Sequence, residues 1–342
     1  MSRRLHFVGT LPQFSTADEA MAWQLRKLHD EIRRVTGGET GDRLNWFVPL
    51  AKDLMRLPHI RTSRTGEWTD YDDVDRLVLK RGHTLRVADI PLRMADWAED
   101  GIASLDALGT PATPQLPLQI GIPGYLDIAL FLFGPVGMFS HATTFRFALA
   151  RQIERIAHFA GDRVVFQIET PAALVAVASA PTPLRAAVAD LMARCVLRQV
   201  TLAPRGSRFG LRLCPGDMGH KAKIRLRTAQ PVVALANALT RRWPATHNPL
   251  EYLHLPLCGG SEPPTTAARF HTPLRRLSHG PARTIVADIA HEDQQPDQQR
   301  AVRDRVEDAL GREVDIATAC GLGRRTPVQA RRAVASMRRL LT

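Results

Sequence analysis

Side chains able to bind a metal or move a proton follow several short, mostly apolar runs of this sequence. They are Glu39, Glu169, Cys214, His254, Cys258, His291 and Cys320. A single cysteine or histidine in such a place is more often a buried packing residue than a ligand. Glu169 is harder to explain that way, because an unpartnered carboxylate at the end of a buried run is costly. Gathered at one edge of a sheet, these groups would form a metal or acid–base centre.

The elements that would gather them are short strands alternating with amphipathic helices. Strands are predicted at Leu5–Gly9, just before Glu39, and at Leu118–Pro123, Val164–Glu169, Phe209–Cys214, Glu251–Pro256, Thr284–Ala290 and Glu313–Thr318. Helices are predicted at Ala17–Val35, Ser140–Ala160, Pro183–Val196, Pro231–Trp243, Gln298–Leu310 and Pro327–Leu341. Eight strand–helix units imply parallel pairing, and over 342 residues they favour an α/β fold, the (β/α)8 TIM barrel. In that fold the carboxyl ends of the strands carry the chemistry.

We expect a single domain over residues 1–342, because no repeat or low-complexity linker divides this alternation. The segment at about 58–117 is the least regular and is predicted to be an excursion after the second strand. No G-x-G-x-x-G follows the first strand and the sequence has no Walker A loop, which argues against a nucleotide-binding fold.

The charge balance is basic, with 46 lysines and arginines against 34 aspartates and glutamates. Paired arginines recur every seven residues from Arg324 to Arg339 and are interpreted as the solvated face of a final helix. Aromatic residues form only 6% of the chain, so base stacking and nucleic-acid binding are not expected. The most apolar run, Leu126–Phe139, is too short to cross a bilayer, and the four cysteines suggest free thiols or metal ligands. We therefore expect a cytoplasmic protein without a membrane segment.

Five short motifs lie at the ends of the predicted strands. They are Val8-Gly9-Thr10-Leu11-Pro12, Gly38-Glu39-Thr40-Gly41-Asp42-Arg43, Gln167-Ile168-Glu169-Thr170-Pro171-Ala172, Asp288-Ile289-Ala290-His291, and Cys320-Gly321-Leu322 followed by Arg324-Arg325. Together they resemble the catalytic, C-terminal barrel of cobalamin-independent methionine synthase, a zinc methyltransferase. Uroporphyrinogen decarboxylase shares the general barrel, but the thiols and the Gln-Ile-x-x-Pro-Ala run favour the methionine synthase side of this superfamily.

The resemblance implies roles for particular residues. Zn²⁺, about one per chain, would be held by Cys214 and Cys320 and would keep a substrate thiol deprotonated for attack on a methyl group. The residues implied to line the substrate site, with the carboxylates pairing with its ammonium group, are Gly9, Thr10, Glu39, Glu169 and Arg212. His291 would move a proton toward the departing methyl carrier.

The third zinc ligand is where the sequence departs from the family. The family's fifth strand supplies His-x-Cys, but this chain has Arg212-Leu213-Cys214, and an arginine cannot ligate a metal. We expect His254 on the neighbouring strand as the ligand, with Cys258 and His220 as alternatives. If no metal binds, Arg212 would instead lower the pKa of Cys214 and produce a reactive thiolate.

The expected function is zinc-dependent methyl transfer by a methionine synthase-like enzyme to a thiol or amino-acid-like substrate. No counterpart of the family's folate-binding N-terminal barrel is present in these 342 residues, so we expect another methyl donor, such as a methylated corrinoid protein. One alternative is a lyase, decarboxylase or other enzyme on the same barrel, with Glu169 and His291 as its acid–base pair. The other is a binding or regulatory protein whose metal site has decayed.

Overall fold

A sheet of seven parallel strands forms the centre of the computed structural model, which describes residues 2–71, 73–109 and 116–342. In chain order the strands are β1 (Val35–Thr36), β2 (Ile60–Arg64), β3 (Arg76–Leu79), β4 (Leu118–Ile122), β5 (Val164–Glu169), β6 (Phe209–Arg212), β7 (Leu250–Leu255), β8 (Thr284–Ala290) and β9 (Asp315–Thr318). The sheet order is β1-β4-β5-β6-β7-β8-β9, while β2 and β3 form a separate antiparallel pair. The predicted α/β class with parallel pairing is confirmed.

Residues 5–10 connect the two ends of this sheet. Leu5 pairs with Ile316 of β9 and with Ile32 just before β1, and Thr10 pairs with Gly38. These are single bridges, so the predicted strand Leu5–Gly9 does not form a regular ladder. Because both edges of the sheet contact the same segment, the arrangement is curled, and a closed barrel of eight regular strands stays a prediction.

The helices follow the predicted alternation with several changed boundaries. They are α1 (Ala17–Leu28), α2 (Phe47–Met55), α3 (Met94–Leu108), α4 (Tyr125–Ala160), α5 (Pro171–Ser179), α6 (Arg185–Val200), α7 (Gln230–Arg242), α8 (Ala268–His271), α9 (Pro296–Leu310) and α10 (Pro327–Arg339). Capping boxes begin α1 at Thr16 with Glu19 and α10 at Thr326 with Gln329. The predicted helix Ala17–Val35 was too long, since Val35 lies in β1.

Helix α4 begins fifteen residues earlier than the predicted start at Ser140. Gly134, at φ 71° and ψ −174°, interrupts its helical conformation, and Pro135 follows. Among the described residues, Tyr125–Arg163 is the one helical segment long and apolar enough to cross a membrane, with a hydropathy of 1.4 and 44% of the window buried. A core helix of a soluble protein passes the same test, so this segment alone does not indicate a membrane protein.

The segment 58–117 is more regular than predicted, although residues 110–115 lie outside the described residues. It contains the β2–β3 hairpin and α3. Arg76 of β3 donates hydrogen bonds to the carbonyl oxygens of Leu130 and Phe131, at 2.6 and 2.5 Å, and so attaches the hairpin to α4. The loop between the two strands places Tyr71 over the carboxyl end of the sheet, where its hydroxyl accepts the backbone N–H of Met218.

The concave face of the sheet is filled below its carboxyl end by Tyr252 of β7. Its hydroxyl oxygen lies 3.0 Å from the amide oxygen of Gln119 and 2.9 Å from that of Gln167, which share its one hydrogen. The Arg34 guanidinium lies 4.2 Å from the ring centroid. A Cβ at Gly210 would meet the tyrosine ring at 2.0 Å, so β6 needs a glycine there. Tyr252 and its partners therefore form the packed layer beneath the side chains at the carboxyl ends of the strands.

Candidate active site

A cavity of about 220 Å³ opens at the carboxyl ends of the strands. On one side it is lined by Thr10, Glu39, Glu169, Arg212, Cys214 and Cys320. On the other it is lined by aromatic side chains, which are Trp46, Phe47, Tyr71, Trp97 and Phe131. The sequence reasoning predicted the polar side of this cavity and missed the aromatic side.

Cys214 and Cys320 lie side by side, with their sulfur atoms 3.7 Å apart. The pKa of Cys214 is lowered, first by a hydrogen bond from the Cys320 thiol and also by the Arg212 guanidinium. The pKa of Cys320 is raised, first by the same hydrogen bond and then by burial. Without a metal, Cys214 is therefore the thiol of the pair that loses its proton more readily.

The pair also fits zinc. Two thiolates bonded at about 2.3 Å to one tetrahedral zinc ion lie about 3.8 Å apart, close to the separation seen here. Cys320 holds a left-handed backbone conformation, at φ 51°, which is costly for a residue other than glycine and is common at functional sites. The backbone strain thus occurs at the residue whose thiol must meet Cys214.

Glu39 and Glu169 face the cavity together. The Thr10 hydroxyl donates to Glu39 at 2.5 Å, and the Glu39 carboxylate lies so close to Gly9 that a Cβ there would be 2.4 Å from its oxygen. Burial and the neighbouring Glu169 charge raise the pKa of Glu39 to about 7. Two carboxylates that repel each other in one cavity are a suitable site for a cation such as an ammonium group.

Arg212 lies between the carboxylates and the thiols. Its guanidinium is 3.2 Å from Glu169, and only 8% of its side chain is exposed. Glu169 on β5 and Arg212 on β6 occupy paired register positions, which explains their contact. Arg212 thus supplies a fixed positive charge beside the carboxylates of Glu39 and Glu169 and the thiols of Cys214 and Cys320.

His254 and Cys258, two of the residues expected to complete the metal site, do not line the cavity. The His254 Nε2 atom is 2.7 Å from Asp288, and its ring stands against His6 at a centroid distance of 5.0 Å. The Cys258 sulfur contacts the backbone oxygen of Asp288 at 3.8 Å. Both side chains are buried outside the cavity.

His291 is also buried away from the cavity. Its Nδ1 atom accepts the backbone N–H of Asp293, and its Nε2 atom lies 3.3 Å from the Gly260 oxygen. His291, Glu292 and Asp293 offer ligand atoms within 4.8 Å of one another. However, Arg325 binds Glu292 at 2.8 Å and Arg332 binds Asp293 at 3.0 Å, so cationic side chains already neutralise this group.

The position of Arg325 differs from the one predicted from the sequence. The paired arginines were interpreted as a solvated face, but the Arg325 side chain is fully buried and precedes α10. It also donates to the backbone oxygens of Gly260 and Gly321, at 3.1 and 2.6 Å. The arginine therefore holds together the loops that carry Gly321 and Gly260.

Asp217 is a cavity residue that the sequence reasoning did not select. Its side chain is 5% exposed, and neither carboxylate oxygen has an N–H or O–H partner. Burial raises its pKa to about 6, although the Cys320 thiol beside it acts in the opposite direction. The available signal was its position three residues after Cys214, in the loop that follows the same strand.

Comparison with known proteins identifies the fold. No protein-family model matches the chain, and no curated protein does. A solved structure of a B12-independent methionine synthase from Shewanella sp. W3-18-1, in complex with selenomethionine, matches 100% of this chain and 97% of its own with a TM-score of 0.64 and 14% identity. A Listeria monocytogenes structure, provisionally assigned as a vitamin-B12-independent methionine synthase, matches 95% of this chain and 85% of its own with a TM-score of 0.52 and 12% identity. The resemblance seen in the strand ends is thus confirmed at the level of the fold, which this chain shares with structures of B12-independent methionine synthases.

Proposed function

We propose that this chain is an enzyme that transfers a methyl group to the thiol of a small, amino-acid-like substrate, on a single-domain (β/α)8 barrel with one Zn²⁺ per chain. The observation that carries the proposal is the arrangement of one cavity. A pair of cysteine sulfur atoms 3.7 Å apart and a pair of carboxylates, Glu39 and Glu169, line the same space. The first pair suits a metal-bound thiol and the second suits an ammonium group, so one small molecule carrying both would satisfy the site.

Each side chain has a separate task in this proposal. Cys214 and Cys320 hold the zinc ion, which when bound keeps a substrate thiol deprotonated at neutral pH. Glu39 and Glu169 bind the ammonium group and thereby orient the substrate. Arg212 offsets part of the negative charge of the thiolates and carboxylates.

The aromatic side of the cavity would receive the methyl donor. Trp46 and Phe47 stack with ring centroids 3.8 Å apart, and Phe131 lies 4.9 Å from Phe47. Such a wall limits the access of water, which would otherwise compete for the methyl group. We propose a methylated carrier, such as a corrinoid protein, as the donor that approaches this wall.

The placement of His291 bears on the alternative functions. A lyase or decarboxylase with Glu169 and His291 as acid and base would need both in the cavity, and His291 does not line it. The same placement favours Tyr71 over His291 as the proton donor near the carrier, because Tyr71 does line the cavity. The intact thiol pair favours an enzyme over a binding protein whose metal site has decayed.

The test is methyl transfer by protein purified without chelators. Homocysteine is incubated with methylcobalamin, and the thioether product is measured by mass spectrometry. We expect product with the parent protein and with Cys195→Ser, whose thiol lies in α6 outside the cavity, and none with Cys214→Ser. Binding of homocysteine should also exceed that of the matching thiol without an amino group. Equal binding of the two thiols, together with zinc-free protein, would disprove the proposal.

A further inference from the structure

The proposed zinc site needs a third protein ligand, and this inference therefore rests on the proposed function. Catalytic zinc sites hold the metal with three protein ligands and leave a fourth position for water or substrate. Cys214 and Cys320 provide two. Arg212 stands where the resembling family has a histidine, and His254 and Cys258 do not line the cavity.

We propose that Asp217 is the third zinc ligand. It stands three residues after Cys214 in the loop that follows β6, and it lines the same cavity as both thiols. The loop turns at Gly216, whose φ of 75° suits glycine. Carboxylate oxygen is an ordinary zinc ligand, at about 2.0–2.2 Å.

The main support for this assignment is the burial of the Asp217 carboxylate without an N–H or O–H partner. A buried carboxylate is normally hydrogen-bonded or paired, because leaving it alone is costly. Here neither oxygen has an N–H or O–H partner while the side chain is 5% exposed, and the hydrogen bond that it receives is the weak one of the Cys320 thiol. A cation bound beside Cys320 would remove this deficit.

The neighbouring His220 gives a second, independent indication that Asp217 is a zinc ligand. Its Nδ1 atom is buried without a partner and lies 3.9 Å from an Asp217 oxygen. Ligating carboxylates are commonly held by such a neighbouring group. His220 has a left-handed conformation at φ 61°, so its backbone, like that of Cys320, is strained beside the cavity. We assign His220 as a positioning residue for Asp217.

Binding of zinc by all three ligands requires a movement of the Asp217 side chain. Among the described residues, the group of three donors that already lie within 4.8 Å of one another is His291, Glu292 and Asp293, and it does not include the two cavity thiols. The Asp217 carboxylate must therefore turn toward the sulfur atoms when the metal binds. Since its oxygens have no N–H or O–H partner, this rotation disturbs only the contact with the Cys320 thiol, which loses its proton when it binds zinc.

The experiment measures metal binding without activity. Zinc affinity is determined by competition with a chromophoric chelator for the parent chain, Asp217→Asn and the control Asp293→Asn. Asp293 belongs to the neutralised acidic group outside the cavity, so it also tests that group as the metal site. Loss of Asp217 should weaken zinc binding by more than the roughly 10–100-fold that loss of an outer-shell partner costs, and Asp293→Asn should bind as the parent does.

Cobalt(II) substitution gives the second readout. Asp217→Asn should keep the thiolate-to-cobalt charge-transfer band, because both sulfur ligands remain, while its ligand-field bands change. The metal-free variant should unfold at the same or a higher temperature than the metal-free parent, since it loses an uncompensated buried charge.

The results that would overturn the Asp217 assignment differ from those that would overturn the zinc site. Parent-like affinity and an unchanged cobalt spectrum in Asp217→Asn would overturn this assignment and leave the zinc proposal standing, with His254→Gln as the next variant to test. A parent protein that binds no zinc, or a Cys214→Ser variant that binds it normally, would overturn the zinc site itself and this assignment with it.

Discussion

The sulfur atoms of Cys214 and Cys320 lie 3.7 Å apart although the two residues are separated by 106 positions in the sequence. Each cysteine stands two residues beyond the end of its strand, β6 or β9, on the same edge of the sheet. The contact is possible because the sheet is curled, so that strands distant in order face each other across its concave side. The thiol pair is therefore a direct consequence of the fold.

The first prediction concerns these thiols. Cys214→Ser and Cys320→Ser should each lose the zinc that the parent chain retains, because a hydroxyl at these positions is a much poorer zinc ligand than a thiolate. Elemental analysis of chelator-free protein should give about one zinc ion per parent chain. Cys195→Ser is the matched control and should keep its zinc, and equal zinc in all three variants would show that the metal lies elsewhere.

The second prediction is a pH dependence set by Glu39. Its pKa of about 7 means that the carboxyl is mostly neutral at pH 6 and mostly ionised at pH 8. The groups that act on it are Glu169, Thr10, Arg212 and Arg324. Methionine has an ammonium group and no free thiol, so its affinity should rise between pH 6 and pH 8 and this rise should be absent in Glu39→Gln. Isothermal titration calorimetry provides the measurement.

The same raised pKa has a consequence for stability. A carboxyl with a higher pKa in the folded than in the unfolded protein makes the folded state lose stability as pH rises from about 4.5 to about 7. Glu39→Gln should therefore raise the melting temperature of ligand-free protein at pH 8 and change it little at pH 4.5. A lower melting temperature at pH 8 would mean that Glu39 maintains the fold.

The third prediction tests how Glu39 is held. A Cβ at Gly9 would lie 2.4 Å from the Glu39 oxygen, whereas a Cβ at Gly37 would have 3.6 Å to its nearest neighbour, Arg43. Gly9→Ala should displace the carboxylate and weaken methionine binding by about 1–3 kcal/mol, the scale of a lost hydrogen bond to a charged group. Gly37→Ala should bind as the parent does. Similar affinities for both variants would show that the position of Glu39 is unimportant for binding.

The sequence was sufficient to predict part of the cavity edge. Apolar runs located β5 and β8 to the residue, and parallel pairing requires their carboxyl ends to share one edge with the other strands. Glu39, Glu169, Cys214 and Cys320 therefore met as expected. Such a pattern does not give the direction of a side chain, and the His254 ring is buried against Asp288 on the next strand instead of lining the cavity.

Contacts between distant segments account for the other differences. The apolar run Leu126–Phe139 was not predicted to be part of a helix, yet α4 continues through it, past Gly134 and Pro135, and packs against β3. Tyr71 lies in a segment without periodicity, and only the attachment of its hairpin to α4 brings it over the thiols. Arg325 had the spacing of a surface residue but binds the buried Glu292. Local pattern does not encode any of these pairings.

The last prediction is that Glu169 and Glu39 differ in their effect on the stability of the ligand-free protein. In the structure, Glu169 is 3.2 Å from the buried Arg212 guanidinium, so Glu169→Gln leaves that cation with less compensation. We expect Glu169→Gln to destabilise the ligand-free protein by about 1–3 kcal/mol, in contrast to Glu39→Gln.

A double-mutant cycle with Arg212→Met measures the pair itself. If the guanidinium of Arg212 and the carboxylate of Glu169 interact as their geometry indicates, Glu169→Gln should cost less in the Arg212→Met background, with a coupling energy of about 0.5–3 kcal/mol. Denaturant unfolding of the four proteins gives this value. Strictly additive effects would mean that Arg212 is balanced by the Cys214 and Cys320 thiols, and that Glu169 is free to bind the substrate alone.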